Sequence, residues 1–97
     1  MSILQLKQQQ QGAVQIEKRV AQLLQAQGRE VVTITWDLGK LDPKLDNHTL
    51  NVLVENGIVK ESFTSKELED SYSRLRPTVE DCLNSMISRL EAQIKGN

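Results

Sequence analysis

The 97-residue chain has one cysteine, Cys82, and one histidine, His48. A lone cysteine makes no internal disulfide framework, and one Cys with one His cannot complete a structural zinc site. Aromatic residues are equally scarce: Trp36, Phe63 and Tyr72 account for 3% of the chain. Charge of one sign is missing too. Twelve Lys+Arg against thirteen Asp+Glu leave a net −1, which excludes a strongly basic nucleic-acid coat and an acidic tail. No apolar run approaches the roughly 18–20 residues of a membrane span. Ser2, Ile3 and Leu4 lead into a glutamine-rich stretch rather than the apolar segment of a secretory leader. Gly-rich phosphate loops, G-x-S-x-G elbows and H-E-x-x-H pairs are all lacking, so no cofactor is implied. The expectation is a single cytoplasmic domain over 1–97. Its hydrophobic content of 38% is below the roughly 45% of an average domain but sufficient for one modest core.

Within this chain, the hydrophobic period changes twice. Ile16, Val20, Leu23 and Leu24 fall on one helical stripe, with Gly28 placed where a left-handed C-terminal residue is wanted. A helix is expected over about 13–27. Ile3 and Leu6 extend the stripe backwards, but Gly12 interrupts it, so residues 1–12 are free to fray. The short run Gln8 to Gln11 fits a helical or frayed stretch and is far too brief for a prion-like tract. Residues 30–37 are rich in β-branched types and alternate with period 2. They predict a strand with Val32, Ile34 and Trp36 on one face and Val31, Thr33 and Thr35 on the other.

After a loop carrying Gly39 and Pro43, Asn56-Gly57 signals a tight hairpin with a type I′ turn. With Glu55 opposite Ile58, one face holds Leu50, Val52, Val54, Val59, Glu61 and Phe63. Thr64 and Glu67 have the spacing of a capping box, with Phe63 and Leu68 as its hydrophobic staple. A second stripe then runs through Leu68, Tyr72, Leu75, Val79, Leu83, Met86, Leu90 and Ile94. Pro77 must either kink this helix or begin a new one. The expected fold is α+β, in the order α-β-β-β-α-α: a small three-stranded antiparallel sheet with an N-terminal helix and a kinked or split C-terminal helix on one face.

Sites are weakly marked. His48 reads as a solvent-facing or capping residue at a loop-to-strand junction, and Cys82 as a small core residue beside Val79 and Met86. Asp37, Asp42, Asp46 and Asn47 supply oxygen ligands, but their spacing is not that of an EF-hand and turn capping explains them equally. Residues 1–29 concentrate positive charge: Lys7, Lys18, Arg19 and Arg29 against Glu17 give +3. Three function classes follow. The first is a non-enzymatic protein-interaction or regulatory module, binding another protein or a second copy. It acts through a helix face or the first strand's edge, with Trp36, Val31, Thr33 and Thr35 as contact residues. The second is a nucleic-acid-binding regulator using Lys7, Lys18, Arg19 and Arg29. A small enzyme using His48 with loop aspartates ranks last.

Overall fold

In the computed structural model, which describes residues 2–96, Ser2 opens the first helix, α1 (Ile3–Ala26). Its hydroxyl accepts from Gln5 N (3.1 Å) while Gln5 Oε1 accepts from Ser2 N (2.9 Å), a capping box that satisfies two otherwise orphaned donors. The helix therefore begins at Ile3 rather than at residue 13. Gly12 does not end it. An alanine Cβ at Gly12 would lie 1.8 Å from the backbone oxygen of Leu68, so glycine marks a helix crossing rather than a break. The far end behaves as expected. Gly28 takes φ 73°, with Arg29 N bonded to Leu24 O (2.9 Å) and Gly28 N to Gln25 O (3.0 Å). That is the Schellman closure.

Strands β1 (Val31–Trp36), β2 (Asn47–Val54) and β3 (Gly57–Thr64) form an antiparallel sheet in the order β1-β2-β3. The β2–β3 pairing differs from expectation. Val54 pairs with Gly57 and Val52 with Val59, a slip of two residues from the expected register. An even slip keeps every side chain on its face, so Leu50, Val52, Val54, Val59 and Phe63 still enter the core. The turn residues are Glu55 and Asn56, and neither adopts positive φ, so the turn is not type I′. Gly57 is needed for space instead. A Cβ there would meet Gln93 Oε1 at 2.7 Å and Leu90 Cδ1 at 2.9 Å, and Gln93 Oε1 accepts from Ile58 N (2.9 Å).

In β1, the register shifts between Val31 and Thr33. The extra residue of this bulge, Val32, is displaced outward and is 62% exposed. Val31 is thereby brought to the core side with Ile34 and Trp36, the reverse of the simple alternation.

Thr64 caps α2 (Ser65–Asp70) through the expected box with Glu67, and Phe63 and Leu68 are both buried. The chain then breaks before α3 (Pro77–Lys95), with Pro77 in the first turn and Arg76 as N-cap. Pro77 thus starts a helix, where its missing N–H costs nothing. Tyr72 falls in the break and is 44% exposed, outside the stripe that includes it in sequence. Ile16, Val20 and Leu24 of α1 meet Val79, Leu83, Met86, Ile87 and Leu90 of α3 over the sheet. α3 lies mainly on β3, whereas α2 lies mainly on α1, so the two halves cover different neighbours. No helix among the described residues is long and apolar enough to cross a membrane.

Candidate functional site

His48 extends the alternation of Leu50, Val52 and Val54 two residues backwards, so it enters the core face and is fully buried opposite Phe63. The expectation of a solvent-facing or capping residue is corrected: His48 is a buried, hydrogen-bonded core residue. Each ring nitrogen has a partner: Nδ1 lies 3.2 Å from Asp37 Oδ2 and Nε2 2.9 Å from Ser65 Oγ. Asp37 follows β1 with φ 54°, a left-handed position that Asp tolerates better than most residues. Its carboxylate also accepts from Asp42 N (2.9 Å) and Thr49 N (3.0 Å). Burial pushes this carboxyl up, but the two backbone N–H groups and His48 outweigh it and hold it below the usual range.

Asp37, His48 and Ser65 have the composition of a nucleophilic triad. The wiring is different. A serine nucleophile donates its proton to histidine and needs N–H donors beside the forming oxyanion. Here Ser65 Oγ donates to Leu45 O (2.9 Å), with Asp46 O at 3.3 Å, and Ser65 N donates to Asp46 O (2.9 Å). The hydroxyl has one proton. Leu45 O and Asp46 O can only accept, so they compete with His48 Nε2 for the proton that activation would send to the ring. The geometry fastens both ends of the 37–46 loop to β2 and α2.

Asp42 is also occupied. Asp42 Oδ1 accepts from Lys44 N (3.0 Å), an Asx-type turn contact. Among the described residues, no three His, Cys, Asp or Glu side chains are grouped to hold a metal. Cys82 is half-buried. Burial pushes its thiol pKa up, Glu61 and Glu67 add to this, and Arg89 opposes it, so the thiolate that nucleophilic chemistry requires is disfavoured.

The expected contact residues of β1 divide in two. Trp36 is 4% exposed and tilted against Phe63 at a centroid distance of 6.1 Å. It is a core residue, as is half-buried Val31. Buried Trp36 Nε1 closes no hydrogen bond among the described residues. Burial raises the pKa of the nearby Glu17 carboxyl, and the indole partly opposes that rise. Thr33 is exposed and Thr35 half-buried, on the sheet face away from the core. Sequence alternation missed two apolar residues at the ends of this strand: Val32, thrown out by the bulge, and Leu38, fully exposed just beyond Trp36.

β1 is the edge of the sheet. Asp37 N bonds to Thr49 O at 2.8 Å, so in the shared register the 35/51 and 33/53 pairs carry the ladder, while the backbone N–H and C=O of Ile34 face out.

The four cations of the N-terminal region also separate. Arg19 Nε lies 3.1 Å from Glu80 Oε1, and Arg29 Nη2 lies 2.8 Å from Glu91 Oε2. Both arginines therefore tie α1 and its exit to α3. Lys7 and Lys18 form no ion pair among the described residues and line one open groove. Comparison of the chain with protein-family models, curated proteins and solved structures finds no match.

Proposed function

We propose that this protein is a non-enzymatic cytoplasmic interaction module whose β1 edge pairs with the same edge of a second copy. The observation that carries this reading is an uncharged strand edge with exposed apolar residues at both ends. β1 reads Val-Val-Thr-Ile-Thr-Trp, without Lys, Glu or Pro. The opposite edge, β3, carries Lys60 and Glu61, charges of the kind that discourage edge pairing. Val32 and Leu38 add apolar surface where an incoming strand would begin and end. Two antiparallel β1 strands related by a two-fold axis would satisfy each other's outward backbone groups and merge two sheets into one. Among the described residues, the one constellation of catalytic composition, Asp37–His48–Ser65, supports the non-enzymatic part of the reading, because carbonyl oxygens compete for its serine proton.

Light scattering at high micromolar concentration tests the assembly. The expected mass is twice the 11.0 kDa of one chain. The double variant Thr33→Lys with Thr35→Lys places like charges across the paired edges and is expected to weaken the dimer about tenfold, roughly 1.4 kcal/mol. Its circular dichroism should be unchanged. A monomeric parent, or a variant that dimerises as well as the parent, contradicts the proposal.

A further inference from the structure

The groove containing Lys7 and Lys18 is formed between α1 and the turn joining α2 to α3, with a volume of about 580 Å³. We infer that it binds single-stranded nucleic acid, with backbone phosphates on Lys7 and Lys18 and a base on the face of Tyr72. This site is separate from the β1 edge and does not depend on it.

The first support is placement. Residues 7, 14 and 18 are seven and eleven positions along one helix, which returns them to nearly the same face. Lys7 and Lys18 therefore stand about 16 Å apart along the axis, with Val14 between them. That length accommodates several nucleotides of a strand lying along α1. The second support is charge. None of the residues lining the groove is acidic, and the two lysines are outside the ion pairs that neutralise Arg19 and Arg29. Arg74 and Arg76 follow Tyr72 in the same turn, both exposed and in no ion pair among the described residues. The third is the chemistry between the cations. Gln11 and Gln15 line the floor with amides that both donate and accept, as base edges do. Val14 and Tyr72, each 44% exposed, offer apolar surface. An aromatic platform beside spaced cations is the usual arrangement for unpaired bases. An acidic peptide would use the lysines, whereas stacking on the tyrosine face favours a strand of unpaired bases.

The test is fluorescence anisotropy of a labelled oligothymidylate against the full chain at low salt. Saturable binding is expected, with log affinity falling against log salt at a slope of about −1.4 for two neutralised phosphates. Lys7→Glu with Lys18→Glu should weaken binding at least tenfold. Tyr72→Ala should weaken it about tenfold while leaving the salt slope unchanged, and Tyr72→Phe should retain it, because the loss is stacking rather than ion pairing. All these side chains are exposed, and circular dichroism should report unaltered folding. The inference is overturned by absence of saturable binding, by binding that these variants do not change, or by an equal-length polyglutamate peptide that competes as well as the oligonucleotide.

Discussion

Gly12→Ala is expected to destabilise the protein by about 3 kcal/mol, at the upper end of ordinary overpacking costs. The sign is opposite to that of a solvent-facing helix position, where alanine gains about 1 kcal/mol over glycine. Gly12 is buried, and the added methyl carbon would overlap the Leu68 carbonyl oxygen, 1.8 Å away, and its carbon, 2.7 Å away. Both are backbone atoms, so no rotamer change relieves the contact. α1 must separate from α2, which disturbs the neighbouring Gln9–Glu69 hydrogen bond (3.1 Å) and the buried Leu68. Thermal unfolding followed by circular dichroism should show a midpoint lowered on the order of 15 °C. Gln25→Ala, at an exposed position of the same helix, should leave the midpoint level or slightly higher. A neutral or stabilising Gly12→Ala would mean that α1 and α2 do not cross there.

Asp37→Ala is expected to cost a similar amount, about 3 kcal/mol, through loss of charge-assisted hydrogen bonds. Asp42 N, Thr49 N and His48 Nδ1 all lose their acceptor. Alanine must also adopt φ near 54°, a conformation Asp tolerates better. His48 cannot turn to water, because it is fully buried. The pH dependence has a definite sign. A carboxyl with a depressed folded-state pKa contributes stability above its unfolded value, near 3.9, and that contribution is lost as pH falls through the lower folded value. Urea unfolding should therefore show the largest deficit of Asp37→Ala at neutral pH, with the deficit narrowing below about pH 4. A deficit that is constant down to pH 2 would mean that the Asp37 charge is not what fastens the loop.

Most of the architecture was legible because period and capping depend on neighbours in sequence. The stripe of Ile16, Val20 and Leu24, the box of Thr64 with Glu67, and the alternation of Leu50, Val52 and Val54 all retain their faces in the folded protein. The departures occur where distant segments decide. Gly12 looked like an interruption because the Leu68 backbone that requires it is remote in sequence. Gly57 looked like a turn glycine, although α3 requires its small size. The β1 bulge, visible only in the pairing with β2, exchanged the roles of Val31 and Val32. Tyr72 kept step with the stripe in sequence, but α2 ends at Asp70, which turns the ring outward.

The candidate sites were less legible for the same reason. His48 was the one residue whose burial a longer reading of the alternation would have found. Its partners Asp37 and Ser65 are eleven and seventeen residues away and carry no local signature. Charge was visible in composition, but its pairing was not. Arg19 and Arg29 face carboxylates of α3, leaving Lys7 and Lys18 as the cations that line the open groove.

If β1 presents an open edge to a second copy, amide hydrogen exchange at Ile34 reports the pairing residue by residue. In a single chain this outward N–H lacks a ladder partner and should exchange rapidly; in the paired edge it becomes protected. Protection that rises with protein concentration from the low to the high micromolar range, and is lost in the Thr33→Lys, Thr35→Lys variant, is the predicted result. Rapid Ile34 exchange at every concentration would mean that the β1 edges do not pair.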